Sequence, residues 1–396
     1  MRTSSKSSVP LCRNVILIAN YSLDGQYSMQ NLANLFFQLY QPRVQHVRAI
    51  RPLAILGRLG NLYAPAAKWL GYIDKYLIFP LYLLYVRYHA DLANTVFHIV
   101  DHSNALYVPL LYSAKVIVTC NDVLAIRAAK GHFFGQVTGV LGKILQGFIS
   151  YGLRRASHIV CISSNTREEL LSLLNLEPTS VSVALLPLNH HYSPLASSKA
   201  LSLLPPYSCP QPITLSHGFI LHIGGNEWYK NRIGVCHIYQ QYFLVASEQG
   251  IPIVPLVLAG KPISIEIADF INANSYLPIL QIIQPSSLHL QSLYSLASLL
   301  LFPSYHEGFG WPILEAMACG CPVVTTERPP MTEVAGSAGF YIDPKNHLQS
   351  AQLIIETLAA NPRISVHWTQ AAANNLLRFS PEAFNQFYLN LISTLV

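Results

Sequence analysis

Charge is scarce in this sequence. Asp, Glu, Lys and Arg supply 11% of the 396 residues while 51% are hydrophobic, against roughly a quarter charged in ordinary soluble proteins. A surface that poor in charge implies large buried interfaces or contact with a membrane surface. The net charge of +6 is not gathered into any long basic run, which removes the electrostatic footprint of nucleic-acid binding. A mildly basic chain suits anionic substrates and anionic lipid alike, and the sign does not choose between them. Long apolar runs are missing too. The longest, Tyr76 to Val86, has 11 residues, about half of the ~20 a spanning helix needs. Paired cysteines are absent: the seven, at 12, 120, 161, 209, 236, 319 and 321, are scattered, with no Cys-x-x-Cys or metal-like grouping. They read as reduced thiols of a cytoplasmic protein, with peripheral contact at the inner membrane face left open. The apolar run Val15 to Ala19 is too short for a signal-peptide core and reads as a first strand.

What is present is a chain long enough for two or three domains and one very informative stretch, residues 299 to 324, LLLFPSYHEGFGWPILEAMACGCPVV. Leu299 to Phe302 form the continuous apolar run of a parallel strand buried on both faces. Pro312 suits the start of a helix, Gly320 its end, and Val323 and Val324 the next strand. The loop of such a unit lies at the carboxyl edge of a sheet, where open parallel sheets bind ligands. Gly308 and Gly310 let backbone approach a ligand closely, and the helix start attracts phosphate. Glu307 and Glu315 accept hydrogen bonds from hydroxyl groups. Two carboxylates beside an anion-binding turn fit a nucleotide-activated sugar. The alternative is bland: Glu315 complementing the helix dipole and Glu307 a solvated loop residue.

This string, with seven residues between Glu307 and Glu315, resembles the signature of the family 4 retaining glycosyltransferases. The resemblance implies an α/β GT-B fold, two doubly wound Rossmann-like domains facing a central cleft. It also implies that Glu307 lies at the donor sugar, that Glu315 holds the nucleotide ribose, and that Gly308, Phe309 and Gly310 shape the donor site between them.

Along the rest of the chain the resemblance picks out further positions. The loop after the first strand, with Asp24 and Gly25, would face the cleft, although a simple turn is an equal reading of those residues. The strand TVFHIV ends in Asp101, His102 and Ser103, where the family carries a His directed at the donor sugar or acceptor. After VIVTC comes Asn121, replacing a common His, followed by the retained Asp122. Asn121 can hydrogen-bond a hydroxyl but takes no proton near neutral pH. His158 to Ile162 and an Asn165-capped helix look like the last strand and helix of the first domain. In GGNEWYKNRIG, Gly224 and Gly225 permit close approach and Lys230 would neutralise a diphosphate. Asn226 stands where the family commonly has Arg, with Arg232 as the candidate replacement cation. Residues around Gln284 would select the base.

The expected domains are 1–205 for the acceptor, 206–378 for the nucleotide sugar, and a final helix, 379–396, returning to the first. Residues 193 to 217 read as the connection. Residues 51 to 90, with Arg51, Arg58, Lys68, Lys75 and Arg87 among Leu, Tyr and Trp, read either as core helix or as an interfacial segment resting on headgroups. The chemistry implied is transfer of a sugar, with retained configuration, from a nucleotide-diphosphate sugar to a hydroxyl acceptor, with no metal and no cofactor. Two rivals share the fold: a sugar-nucleotide epimerase, which needs no acceptor, and a non-catalytic relative acting as a binding partner, suggested by Asn121 and Asn226.

Overall fold

A computed structural model describes residues 14–62, 64–207, 215–361, 363 and 365–396. The chain divides into two units, Met1–Asn189 with Pro381–Val396, and His190–Ser380.

The first unit is built on six parallel strands, β1 (Asn14–Ile18), β2 (His46–Ile50), β3 (Thr95–Ile99), β4 (Lys115–Cys120), β5 (His158–Cys161) and β6 (Val181–Val183), in the order β2-β1-β3-β4-β5-β6. Every residue of β3 is buried, as expected of a strand covered on both faces. Its one ionisable side chain, His98, lies 3.0 Å from the Tyr40 hydroxyl and 2.8 Å from that of Thr119. Burial pushes this imidazole down to about 3, so it is neutral. Thr119 in turn lies 3.3 Å from the hydroxyl of Tyr388 in the last helix, Pro381–Leu395. Phe384 and Tyr388 also pack against Phe36. These aromatics need a core to bury against, which is why the chain's final helix belongs to the first unit.

Several local expectations are corrected here. The first sheet does not end at β5: the three residues of β6 follow, too few to show a period. The helix Ser164–Leu174 is capped by Ser163, whose Oγ accepts from Thr166 N–H at 3.2 Å, and not by Asn165. The glycine-rich stretch 131–153 contains a 14-residue helix, Val140–Leu153. Its glycines have a packing reason at one point: a Cβ on Gly152 would stand 1.8 Å from the Ala105 carbonyl oxygen, so this helix rides directly on the backbone of the 3-10 segment His102–Leu111. Residues 64–89 are helical throughout, Ala64–Ile73 and Phe79–His89 joined by a π turn at Asp74–Ile78. The side chain of Lys68 falls outside the described residues. Asp74 is wholly buried and accepts from Leu56 N–H, Gly57 N–H and the Tyr21 hydroxyl at 3.0, 2.8 and 2.7 Å. One carboxylate thereby pins the preceding loop.

The second unit has six parallel strands, β7 (Ile220–Gly224), β8 (Leu256–Gly260), β9 (Ile279–Ile283), β10 (Leu299–Phe302), β11 (Val323–Thr326) and β12 (Gly339–Ile342), in the order β12-β11-β10-β7-β8-β9. The direction of winding reverses between β7 and β10. In open α/β sheets, ligands bind outside the carboxyl ends of the strands at that point.

The unit begins at His190 and not near residue 206, because residues 193–202 are no free linker. Gln291 Nε2 donates to the Ser193 carbonyl at 2.9 Å, Leu195 N–H to Ser295 Oγ at 3.1 Å, and Ser292 Oγ to the Ala200 carbonyl at 2.6 Å. The short helix Ser197–Ser202 packs on the helix Ser287–Leu296. Residues 208–214 of the expected connection lie outside the described residues, as do Cys12 and Cys209. The other five cysteines are buried free thiols.

The Gly152 contact is testable. Gly152→Ala should destabilise the first unit by about 1–3 kcal/mol through overpacking against backbone, seen as a lower denaturant midpoint, and an unchanged midpoint would contradict the contact.

Candidate active site

At the switch point of the second unit two loops meet. The first leaves β7 through Gly225, Asn226 and Glu227, makes one 3-10 turn at Trp228–Lys230, and enters the long helix Arg232–Glu248. The second leaves β10 at Pro303 and reaches the helix Trp311–Ala318 through Gly310, whose φ of 107° only glycine adopts without strain. Backbone and side-chain bonds stitch them together: Tyr305 N–H donates to the Tyr229 carbonyl at 2.7 Å, and Asn231 Nδ2 to the Pro303 carbonyl at 3.1 Å. The result is one ion pair across the switch point. Lys230 Nζ donates to both carboxylate oxygens of Glu307, each at 2.7 Å. Glu307 is buried and Lys230 nearly so, where charge-assisted bonds are strong and an unpaired charge is costly.

Glu315, one turn into the helix, is 5% exposed and accepts from the Tyr294 hydroxyl at 2.8 Å. Burial first, and then the Glu315 charge, push the Tyr294 phenol up, so it remains a donor. The ring of Phe309 is buried against Phe379, 5.8 Å centroid to centroid. Phe309 therefore anchors the loop from inside and offers a ligand its backbone. Glu227, which the sequence did not single out, covers Gly225: a Cβ there would lie 2.1 Å from Glu227 Oε2. The carboxylate is held by Lys261 Nζ.

Arg232 is buried and serves as a strut, with Nη1 donating to Asn226 Oδ1 at 2.9 Å and to the Lys261 carbonyl at 2.7 Å. Among the described residues its Nε and Nη2 have no partner, and burial lowers its pKa. Asn226, where an Arg is common, is exposed and donates to the Pro262 carbonyl at 2.7 Å. Gln284 follows β9, at the sheet edge, with its N–H bound to the Gly260 carbonyl.

Under the glycine turn lies His222. Its Nδ1 donates to the Leu301 carbonyl at 3.0 Å, which leaves Nε2 as a buried acceptor with no partner among the described residues. Burial above all, with the Arg232 and Lys230 charges, pushes it down to about 3.

The first unit has its own polar cluster at the corresponding reversal, between β1 and β3. Asp101 is buried and accepts from Asn20 Nδ2 at 2.6 Å, Asn121 Nδ2 at 3.1 Å and the Ser103 hydroxyl. His102 Nδ1 lies 3.2 Å from Asp101 Oδ1. Burial opposes the charged imidazole, but the contact with Asp101 and the charges of Asp101 and Asp122 outweigh it, so the His102 pKa is raised. Burial likewise works to raise the Asp101 pKa, but His102, Ser103 and Asn20 more than offset it and hold this carboxyl below its usual range. Asn104 Nδ2 closes the network on Asn20 Oδ1 at 3.0 Å. Asp101, His102 and Asn121 are thus brought together, while Asp122 caps the next helix through Leu124 N–H at 2.9 Å. Gly25, at φ 64°, stands apart in an open turn. Asn20 and Tyr294 carried no sequence signal: one is a single amide after a strand, the other an ordinary tyrosine in an apolar helix.

Two six-stranded parallel sheets of this winding form the GT-B glycosyltransferase fold, and residues 255–375 match the family model described as glycosyl transferases group 1. The resemblance read from the Glu307 string therefore holds at the level of group 1. Among relatives, an O-antigen chain mannosyltransferase B of Escherichia coli is 27% identical over 237 residues, 59% of this chain and 58% of that protein. The match thus spans little more than half the length of that relative. Among solved structures, sucrose-phosphate synthase from Thermosynechococcus elongatus superposes with TM-score 0.61 at 17% identity, over 96% of this chain and all of that one. TarM of S. aureus, crystallised in mutant form with Fondaparinux, alpha-GlcNAc-glycerol and UDP, does so with TM-score 0.56 at 13% identity, over 78% and 58%.

His222 should be silent in a titration. Its depressed pKa means the unfolded state binds a proton between about 6.5 and about 3 that the folded state refuses. Stability is therefore intact above pH 6.5 and falls as pH drops through that window, by up to about 1.4 kcal/mol per pH unit for this proton. NMR should find the ring neutral at pH 5, and a His222 titrating near 6.5 would contradict the geometry.

Proposed function

We propose that this chain is a family 4 glycosyltransferase that moves a sugar, with retained configuration, from a nucleotide-diphosphate sugar to a hydroxyl acceptor. The observation that carries this reading is the Lys230–Glu307 pair, set on two loops at the switch point with Glu315 one helical turn away. In the resting pair Lys230 neutralises Glu307. With donor present, the lysine turns to the diphosphate, whose charge grows as the sugar leaves, and Glu307 is released to accept from the sugar hydroxyls.

The N–H groups opening the helices Trp311–Ala318 and Arg232–Glu248, and the unpartnered Nε and Nη2 of Arg232, add positive potential. Glu315, oriented by Tyr294, accepts from the ribose hydroxyls. Glu227 must swing off Gly225 for phosphate to approach the turn. With cations and helix starts meeting the leaving group, we expect no divalent metal requirement, so chelation should leave the rate unchanged. The departing phosphate takes the acceptor proton on the same face, and no protein nucleophile is used. In the first unit, His102, held by Asp101, is the group for a sugar or acceptor hydroxyl, with Asn121 beside it. The reading extends to polysaccharide biosynthesis, the setting suggested by the name of the E. coli relative, and to a cytoplasmic location.

In steady-state kinetics with a matched donor and acceptor, Glu315→Ala should raise the donor KM with a smaller effect on kcat, and Glu307→Gln should lower kcat at least tenfold, about 1.4 kcal/mol or more. Unchanged kinetics in both variants would remove the assignment. Incubating the wild type with donor and no acceptor separates the rivals: an epimerase changes the sugar, whereas a transferase at most hydrolyses the donor slowly.

A further inference from the structure

Helix Phe79–His89, the 3-10 segment His102–Leu111 and helix Val140–Leu153 cover the same side of the first sheet. Phe79, Leu83, Tyr107, Leu111, Ile149 and Leu153 all enter one buried cluster. Their outer faces are apolar as well. Along the first helical run, Trp69, Leu77, Leu81, Tyr85 and Tyr88 recur at helical spacing and each is 61–81% exposed. In the loop before helix Val140–Leu153, Phe134 and Val137 stand almost fully in solvent, and on the helix itself Leu141 and Phe148 are 71% and 58% exposed.

The electrostatics of this region are one-sided. From Lys75 to Glu169 the chain carries nine Lys and Arg, three Asp and two Glu, a net charge of +4, and two of the cations are paired, Lys75 with Asp24 at 3.0 Å and Arg127 with Glu169. Of the three Asp, Asp101 is buried and Asp122 caps a helix. Only Asp91 is exposed. Most of the cations rest on carbonyls or rings, which leave their charge uncompensated: Lys130 on the Leu173 carbonyl, Arg87 over Tyr112 at 3.3 Å from the ring centroid, Arg155 over Tyr151 at 4.4 Å. Both tyrosines are themselves exposed.

We propose that this side of the first unit docks on an anionic lipid surface. The two helical ridges set aliphatic and aromatic side chains into the acyl boundary, and the arginines and lysines beside them meet the headgroups. A second copy of the chain is the poorer occupant. A two-fold contact would lay this face on itself with net positive charge on both sides, and Asp24 and Glu169 are already engaged by Lys75 and Arg127. The mode is peripheral: among the described residues no helix is long and apolar enough to cross a membrane.

The test is flotation of the intact chain with vesicles of equal parts phosphatidylglycerol and phosphatidylcholine, and with phosphatidylcholine alone. Binding to the anionic vesicles should exceed that to the neutral ones by about tenfold or more. The double variant Leu81→Glu with Phe148→Glu should lose it by a similar factor while keeping the wild-type melting temperature, since both side chains lie in solvent. Three results would overturn the proposal: no flotation with anionic vesicles, flotation undiminished in the double variant, or a lipid-free dimer that the double variant abolishes. No sugar transfer enters the readout, so this stands or falls separately from the proposed activity.

Discussion

The salt bridge between Lys230 and Glu307 is the constraint on which the second unit's chemistry depends. Each partner comes from a different loop, and the loops come from the two strands, β7 and β10, at which the sheet reverses its winding. Neither charge could be left alone at that degree of burial, because an unpaired buried ion costs several kcal/mol. The pair therefore holds both loops in place while no ligand is there. A diphosphate with attached sugar presents an anion for the lysine and hydroxyls for the carboxylate, so the same two groups serve the resting and the loaded site.

Around that pair the structure repeats one device, a buried carboxylate satisfied by several donors. Glu315 takes the Tyr294 hydroxyl, Asp74 takes two backbone N–H groups and Tyr21, and Asp101 takes Asn20, Asn121 and Ser103. In a chain with only 19 acidic residues, three of them are spent in this way. Charge is rare here because so much surface is apolar, and where an acid is buried it fixes a loop or a side chain near a sheet edge. The neutral histidines, His98 and His222, show the complementary case, in which burial, joined at His222 by neighbouring cations, removes the charge.

How far the sequence was legible follows from these contacts. The string from Leu299 to Val324 announced its strand, loop and helix because each signal there is local: an apolar run, a proline at the helix start, a glycine at φ 107°. Lys230 and Glu307 could be named one by one, but 77 positions separate them, and only the parallel pairing of β7 with β10 makes them partners. Strand β6 and the helix Val140–Leu153 escaped because one is three residues long and the other is interrupted by glycines whose use is a close approach to Ala105. The domain boundary moved to residue 190 because Ser193, Leu195 and Ala200 bond to a helix about a hundred residues away. Arg232 looked like a free cation and is a buried strut, a distinction that depends on the carbonyl of Lys261 and on Asn226.

The central claim is that this pair exchanges its partner for the diphosphate of an activated sugar. Titration calorimetry of the intact chain against a panel of nucleoside-diphosphate sugars, in the wild type and in Lys230→Met, addresses it directly. The account predicts saturable one-to-one binding of at least one member, weakened about tenfold or more in the variant. Binding of equal strength in both proteins, or no binding by any member, would contradict it.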